Sequence, residues 1–532
     1  MNTDVLIIGA GPTGLALACQ LIRYGVRFVI LDQKPGITQL SKALGVQART
    51  LEIYEQIGLA DPAVELGKPA DKIRLIAAGK VHEGFDLSAM GQGMSPYPYM
   101  LVLEQSKNEQ ILYDYLQQHQ QTVLWETTLE SFSQSNTGVQ AVVRRGEGES
   151  QTVHAQYLVG CDGASSQVRQ SLGLSFLGST FERLFYVADT QIDWDLDHDT
   201  LHSCLARDSF IFFFPMPGER RWRILGNLPE QSAAAQGETE MAASALEQWV
   251  QDQTGLPLAI TEINWFSTYR VHTRRVDQFS QGRCFLAGDS AHVHTPAGGQ
   301  GMNTGIQDAY NLAWKLAMVL QQAQASLLDT YNQERLANAK NLVDTTDKMF
   351  EFEAGSNWLV SFVRTLLLPP LAKYIFRLDL VQRGLFSLVS QIGISYPESR
   401  LSLKTSTDSV FKVRAGDRLP YVVIAGESLY ERLKAPKFHL LTFTNDAEAA
   451  AAAAQAQIDE TLIDRLVLPL LPAVTDAFGC RDGFSLLLRP DNHIGFIAQT
   501  QVGDRLAEYF THCLQLADFK PAPRSVTQAA AP

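Results

Sequence analysis

Residues 288–303 read GDSAHVHTPAGGQGMN, which places a carboxylate, two histidines and four glycines in one short run. Asp289 follows Gly288; His292 and His294 stand two apart; Gly298, Gly299 and Gly301 are crowded just before Met302 and Asn303. A His-x-His pair can point two ligands from one strand face at a metal. No third ligand is close in sequence, so a metal is not expected. His292 is expected to be structural and His294 to approach an active site. The glycines call for another explanation: something large and flat, or a phosphate, comes close to the backbone there.

The flanking elements show how such a loop would be held. "CFLAGD" (284–289) reads as a buried strand ending at Asp289. After the glycines, Ile306, Tyr310, Ala313, Leu316, Ala317 and Leu320 recur at three- and four-residue spacing, so the loop feeds the N-terminus of an amphipathic helix. The same plan opens the chain. "DVLIIGAGPTGLALACQLIRYGVRFVILDQ" (4–33) is a strand, a turn, a helix and a second strand. Gly9, Gly11 and Gly14 have G-x-G-x-x-G spacing around Pro12 and Thr13, and Asp32 with Gln33 closes the second strand. Gly9 permits the tight turn, Gly11 lets backbone approach a pyrophosphate, and Gly14 lets helix and strand pack closely. A carboxylate at position 32 suits ribose hydroxyls, so the segment reads as an adenine-dinucleotide site. NAD and FAD both use this motif, and the motif does not choose between them. A third strand-to-helix junction, "YLVGCDGASSQVRQSLG" (157–173), carries Asp162 between Gly160 and Gly163. That carboxylate either reaches a ribose or phosphate-bound water, or serves as an ordinary turn former.

Taken in order, "GAGPTG", "ALGVQARTLEIYEQIGL" (43–59), Gln105 in "LEQSKNEQIL", "GCDGASSQVR" and "GRCFLAGDSAHVHTPAGGQGMNTGIQDAYNLAWKLA" resemble the class A flavoprotein monooxygenases. This is the p-hydroxybenzoate hydroxylase-like family, and the likeness is to its phenol hydroxylase and polyketide-tailoring branch. The resemblance spans roughly residues 1–350 and continues more weakly to the end. It implies an α/β fold: a Rossmann-like FAD-binding domain with an interleaved α+β substrate domain covered by a β-sheet, followed by a thioredoxin-like C-terminal domain. The implied boundaries are 1–72, 99–176 and 271–349 for the FAD domain and 73–98 with 177–270 for the substrate domain. A helical segment follows at 350–398, then the C-terminal domain at 399–520 and a disordered tail at 521–532.

The family binds FAD, and the resemblance rather than the spacing selects it. Carried over, Gly9, Gly11, Gly14 and Asp32 would hold the ADP half, and Arg49 and Gln105 the pyrophosphate and ribityl region. Asp162 would belong to a motif implicated in both FAD and NAD(P)H binding, and Asp289 would bind the ribityl chain or pyrophosphate. Pro296 through Asn303 would line the isoalloxazine ring, with Asn303 at its pyrimidine edge. Cys161 departs from the smaller residue usual in the family, with no consequence expected. The family consumes NADPH or NADH and molecular oxygen (O2) and transfers one oxygen atom, through a flavin C4a-hydroperoxide, to an electron-rich aromatic molecule. Flavin carries the difficult chemistry; protein binds, orients and excludes water.

"SFIFFFPMPGERRWRILGNLP" (209–229) reads as two strands joined at a turn. Either Phe212 and Phe214 or Ile211 and Phe213 would face a substrate, with Pro296 and His294 nearby; all four aromatic and aliphatic positions could equally be sheet core. Tyr269, Arg270 and His272 sit in a segment similar to the family's. No catalytic base can be named. In the C-terminal third, "KFHLLTFT", "FSLLLRPD" and "HIGFIAQ" read as strands, and an Ala-rich tract at 447–456 as helix or loose surface. "AGDRLP" and "LRPDNHIGF" are similar to the thioredoxin-like domain of the phenol hydroxylase branch, but no CxxC is present, so a structural or dimer-forming role is expected rather than disulfide exchange.

Competing readings keep the oxidant and change the outcome to Baeyer–Villiger insertion, epoxidation or oxidative inactivation of an aromatic antibiotic. A flavin halogenase lacks support because its W-x-W-x-I-P signature is absent. A non-catalytic flavin-binding protein would not require an intact glycine loop. The 532-residue chain is 45% hydrophobic and carries a formal net charge of −13, which argues against a nucleic-acid partner. Six scattered cysteines form no pairing framework, and the first residues lead directly into a strand, so a cytoplasmic protein without a targeting segment is expected. "WLVSFVRTLLLPPLAKYIF" (358–376) is apolar but interrupted by Arg364, Pro369, Pro370 and Lys373, so no spanning helix is expected.

Overall fold

The computed structural model describes all residues except 40–42, 78, 206–208, 229–242, 296, 322, 355–362, 364–370, 372–373, 376–377, 406–407, 456–457, 500–501 and 517–532. The chain forms two compact units, one of 1–313 with 335–392 and one of 314–334 with 393–532.

In chain order, the elements that build the site in the first unit begin with strand β1 (Asn2–Ile8), helix α1 (Pro12–Arg23) and strand β2 (Phe28–Leu31). Helices α2 (Ala48–Glu55) and α3 (Gln105–Gln118) follow, then strands β3 (Ser150–Gly160), β4 (Leu177–Asp193), β5 (Phe210–Pro215) and β6 (Arg221–Asn227). Helix α4 (Ala243–Thr254), strands β7 (Ala259–Arg275), β8 (Cys284–Leu286) and β9 (His292–Val293), and helix α5 (Gly301–Leu320) complete the set.

The run Val5–Ile8 is apolar at every position because β1 is covered on both faces, as a central parallel strand must be. It lies between β2 and β3, and β3 pairs on its other side with β8; all three pairings are parallel. Register places Ile8 beside Gly160 and Gly160 beside Leu286. The glycine turn, the Asp162 turn and the Gly-Asp turn therefore leave the carboxyl ends of three adjacent strands. In open α/β sheets that edge is where ligands bind.

The second sheet runs in the order β9, β7, β4, β6, β5, then Leu201–Leu205, Lys72–Ala77 and Lys80–Asp86. Its spine is the antiparallel pair β4 and β7, seventeen residues each, matched from Leu177 opposite Arg275 to Asp193 opposite Ala259. At the root of that ribbon a Cβ on Gly178 would lie 1.9 Å from the Thr273 carbonyl oxygen, so only glycine lets the strands meet there. One face of the sheet is sealed: Tyr186, Ile211, Phe213, Trp222 and Ile224 form a core with Leu246 and Val250 of α4. Each such buried side chain contributes roughly 1.5–3 kcal/mol.

In the second unit, β10 (Phe438–Phe443) pairs in parallel with β11 (Ile463–Leu468) and antiparallel with β12 (Phe484–Leu488). β13 (Ile494–Ala498) pairs antiparallel with β12. Helices Ala447–Gln455 and Pro472–Phe478 alternate with the strands, giving β-α-β-α-β-β in sequence, and a further helix begins at Val502. The Ala-rich tract is thus a helix, and β11 is a strand that its Asp464 and Arg465 conceal from an apolar-run search. A fully buried ionic cluster lies in this unit. Glu334 takes Arg489 at 2.7 Å and Lys315 at 2.7 Å, Arg489 also pairs with Asp491, and Trp314 donates its indole N–H to Asp491. Burial opposes charge on Glu334, but Arg489 and Lys315 hold its carboxyl well below the usual range.

Candidate flavin and substrate site

The first glycine turn fits a nucleotide for reasons visible in its surroundings. Gly9 has φ +100°, and a Cβ there would lie 2.4 Å from the Cys161 carbonyl oxygen; one on Gly14 would lie 1.9 Å from the Gly9 carbonyl oxygen. These two glycines are required by protein backbone. Gly11 differs: a Cβ there would meet no described atom within 4 Å. Gly11 is also the N-cap of α1, whose leading N–H groups have no side-chain cap among the described residues, and Pro12 follows at the first turn. Open space beside uncapped N–H groups at a helix N-terminus suits a pyrophosphate. Asp32 accepts the Ala10 N–H at 2.7 Å and the Lys34 N–H at 2.9 Å, so it braces the turn and keeps further lone pairs for a ribose. Gln33 beside it is exposed.

Thr13 joins the first motif to the third. Its hydroxyl lies where a Cβ on Gly288 (2.5 Å) or Gly305 (2.3 Å) would fall, so Thr13 is wedged between the Gly-Asp turn and α5. Asp289 is exposed between buried Gly288 and Ser290, which turns its carboxylate outward from the strand ends. Ser290 donates to the Gly160 carbonyl, tying this turn to β3. Asp308, two helical turns into α5, accepts from the Gly288 N–H at 2.9 Å, from Arg335 at 2.6 Å and from His292 Nε2 at 2.9 Å. Burial raises the cost of its charge, yet Arg335 and His292 bring its carboxyl below the ordinary value. His292 is therefore a structural partner of Asp308. His294 hydrogen-bonds the Thr295 carbonyl through Nδ1 at 2.7 Å, which makes Nδ1 the protonated nitrogen. Burial first, then the nearby His292, push its pKa down to about 4.

The glycine loop is held by a clamp that sequence reading did not identify. Gln47, just before α2, donates through Nε2 to the Gly298 carbonyl at 2.9 Å. Asn303 accepts from the Gln47 N–H and the Thr50 hydroxyl, and donates to the carbonyls of Gly45 and Gly299. All four hydrogen-bonding capacities of the Asn303 amide are filled by protein, so its side chain shapes the loop instead of reaching a pyrimidine edge. The three glycines also divide. A Cβ on Gly298 would meet the Gln300 side chain at 3.2 Å and one on Gly301 would meet His294 Nε2 at 3.4 Å, whereas on Gly299, at φ +62°, the nearest described atom is 4.0 Å away. Gly299 is the most open of the three among the described atoms. Pro296 lies outside the described residues. Met302 accepts from Asn108 of α3 through sulfur.

Three assigned contacts have other partners. Arg49 is buried and pairs with Glu52 at 3.2 Å. Gln105 accepts the Ala43 N–H and donates to Glu109, bracing the segment before α2. Asp162 accepts from the Ser166 hydroxyl at 2.6 Å and the Val168 N–H, supporting Ser166, the N-cap of the short helix Gln167–Ser171; burial pushes its pKa up.

Phe212 and Phe214 are half-buried and alternate with buried Ile211 and Phe213 on β5. The pair Ile211 and Phe213 belongs to the sealed core, and the other face is the available one. Register extends that face across the sheet: Phe212 opposes Leu225, Phe214 opposes Arg223, Arg223 opposes Asp189, Asp189 opposes Trp265, and Phe185 opposes Tyr269. Leu225, Trp265 and Tyr269 are half-buried like the two phenylalanines. Phe212 and Phe214 pack towards Ala48, Met90, Met100 and Phe386. Ala48 follows Gln47, so the aromatic face adjoins the segment that clamps the glycine loop. Burial pushes the Tyr269 hydroxyl well above its usual range. Arg270 and His272 are exposed.

Open space at Gly11 and Gly299, an exposed carboxylate at Asp289 and an adjoining aromatic face are features that suit a dinucleotide beside a second, apolar molecule. The model of the FAD binding domain family matches residues 2–346. A flavin-dependent monooxygenase of Mycobacteroides abscessus is 33% identical over 525 residues, covering 95% of this chain and 98% of the relative. The 6-methylpretetramide 4-monooxygenase of Streptomyces rimosus is 33% identical over 92% of this chain and 90% of its own length. Among solved structures, the anhydrotetracycline hydroxylase of Streptomyces rimosus superposes with a TM-score of 0.73 at 26% identity, covering 98% of this chain and all of the other. The chain belongs to the FAD binding domain family and is an FAD-dependent monooxygenase, consuming NAD(P)H and oxygen. No helix among the described residues is long and apolar enough to cross a membrane.

Proposed function

We propose that this enzyme oxygenates a polycyclic or phenolic aromatic molecule bound between the glycine loop and the half-buried face of the second sheet. The carrying observation is that face: Phe212, Phe214, Leu225, Trp265 and Tyr269 present a broad aromatic surface beside the segment that holds Gly298. Stacking on such a surface suits a flat ring system. FAD, when bound, supplies the reaction with oxygen. The chain's part is to hold it: Gly11 and the α1 N-terminus at the pyrophosphate, Asp32 at the adenosine ribose, Asp289 at the linking chain, and the Gly299 backbone at the ring. The aromatic face orients the second molecule and excludes water. Two of the relatives above are named for 6-methylpretetramide and anhydrotetracycline as substrates, which supports a substrate of that kind here.

Three further assignments follow. The FAD-binding part comprises 1–72, 99–176 and 271–349 and the substrate part 73–98 and 177–270. The strand order β11, β10, β12, β13 with alternating helices supports a thioredoxin-like fold for the C-terminal sheet, in a structural rather than redox role. A cytoplasmic location agrees with six buried thiols and no disulfide among the described residues.

The test is to mix the purified holoenzyme with NADPH or NADH and a panel of phenols, naphthols, hydroxyanthraquinones and anhydrotetracycline. At least one aromatic should accelerate NAD(P)H oxidation and yield a product heavier by one oxygen atom. If every member leaves the rate unchanged and all consumed oxygen appears as hydrogen peroxide, the aromatic reading fails.

A further inference from the structure

On the substrate-facing side of the second sheet sits a buried cation that the reaction has not yet used. Arg223 of β6 is 1% exposed. Its Nε and Nη2 donate side-on to Asp189, at 2.5 and 2.7 Å. That two-point contact fixes the guanidinium plane and turns the third nitrogen away from Asp189. Nη1 is buried and has no hydrogen-bond partner among the described residues. A buried N–H donor without a partner is costly, and Arg223 carries two such protons on a locked frame. Its neighbours on that face are the half-buried rings of the proposed pocket: Phe214 opposes it across one strand pair, and the Trp265 ring lies 5.5 Å from the guanidinium carbon.

We propose that Arg223 is the anchor that fixes an oxygen of the aromatic substrate, through Nη1, and that this oxygen is a phenol or quinone-type oxygen rather than a carboxylate. This rests on the aromatic-monooxygenase reading and deepens it. The oxygen class follows from charge. Asp189 already neutralises the guanidinium, so a full second negative charge would sit unbalanced in a dry site, whereas a phenol or carbonyl oxygen accepts the free N–H at little cost. Anchoring one oxygen while the ring lies on Phe212 and Phe214 fixes which ring carbon faces the glycine loop. Arg223 is on this account a residue that sets regiochemistry.

The experiment measures binding of three probes of one shape to the holoenzyme by perturbation of flavin absorbance: naphthalene, 2-naphthol and 2-naphthoate. Wild type should bind 2-naphthol roughly 10- to 100-fold more tightly than naphthalene, as expected of a hydrogen bond to a charged donor. It should bind 2-naphthoate more weakly than 2-naphthol. Arg223→Lys keeps a cation beside Asp189 but loses the fork, and should erase the 2-naphthol advantage while naphthalene binds as before. Asp189→Asn leaves Arg223 unneutralised, and should move the preference towards 2-naphthoate. The proposal is overturned if wild type does not discriminate, if Arg223→Lys retains the advantage, or if that variant weakens all three probes equally, as a purely structural role would. Should a variant fail to fold, the wild-type comparison still decides. The two readings separate cleanly. Aromatic-stimulated turnover without a 2-naphthol advantage sinks the anchor alone, and an advantage without any turnover sinks the activity reading alone.

Discussion

Gly9, Gly11 and Gly14 share one motif yet stand in different surroundings, and the difference is testable. Gly9→Ala drives a Cβ to within 2.4 Å of the Cys161 carbonyl at a φ of +100°, so it should destabilise the fold by about 1–3 kcal/mol, read as a lower Tm of the apoprotein. Gly11→Ala meets nothing among the described atoms; its apoprotein should melt within a degree or two of wild type while FAD content in the purified protein falls. Equal losses of Tm in the two variants would contradict the assignment of Gly11 to the ligand. Asp289→Ala should weaken FAD by roughly 10- to 100-fold, since it removes a charged acceptor, and unchanged flavin absorbance per protein would count against that role. The spacing of Gly9, Gly11 and Gly14 was legible because that motif is a single strand-turn-helix junction, in which protein backbone itself requires glycine at positions 9 and 14. What spacing could not show was the partner of each side chain. Asn303 is bound by Gly45, Gln47 and Thr50, more than 250 residues earlier, and nothing local distinguishes that amide from one aimed at a ligand.

At the scale of elements, three strand ends form one edge, and helix α5 pins that edge through Asp308. Asp308→Asn leaves Arg335 without its charge partner in a fully buried position, and should cost about 3–5 kcal/mol. The pH response has a fixed sign. The folded pKa of Asp308 lies below its unfolded value, so its contribution is complete above about pH 4 and is lost as pH falls through the folded pKa. Urea-melting free energies of wild type should therefore steepen downwards below pH 4, and those of Asp308→Asn should be flatter over the same range. If the two curves run parallel, the ionised state of Asp308 is not what the network depends on. The two-strand reading of 209–229 was legible from its length and turn, but the choice of face was not. Phe212, Phe213 and Phe214 are one residue type, and only α4, with Leu246 and Val250 covering one side, separates them.

For the whole molecule, the family match ends at residue 346, but compactness does not. Trp314, Lys315 and Glu334 lie within that stretch, yet their partners are Asp491, Arg489 and the ring of Phe438. A protein cut after residue 350 would leave Trp314, Lys315 and Glu334 without Asp491, Arg489 and Phe438, the partners that they pack against. It should be insoluble or protease-sensitive. Milder damage from Glu334→Gln, about 3–5 kcal/mol in urea melts, should come from the stranded Arg489. A soluble, FAD-loaded 1–350 fragment would refute this dependence. The sequence did not disclose the partnership, because ionic partners 155 residues apart leave no periodic trace.

The seventeen-residue ribbon of β4 and β7 is also a cantilever. At roughly 3.3 Å per residue it reaches about 50 Å from its clamped end at Gly178. The row holding Val187, Leu225 and Phe212 lies nine residues out, about 30 Å along that arm. A deflection of about 5° at the root would carry this row by about 3 Å, close to the thickness of one aromatic ring, with every strand pairing beyond the root left intact. The beam can then accommodate rings of different bulk by flexing at its fixed end, and its stiffness resides in the contact between Gly178 and Thr273.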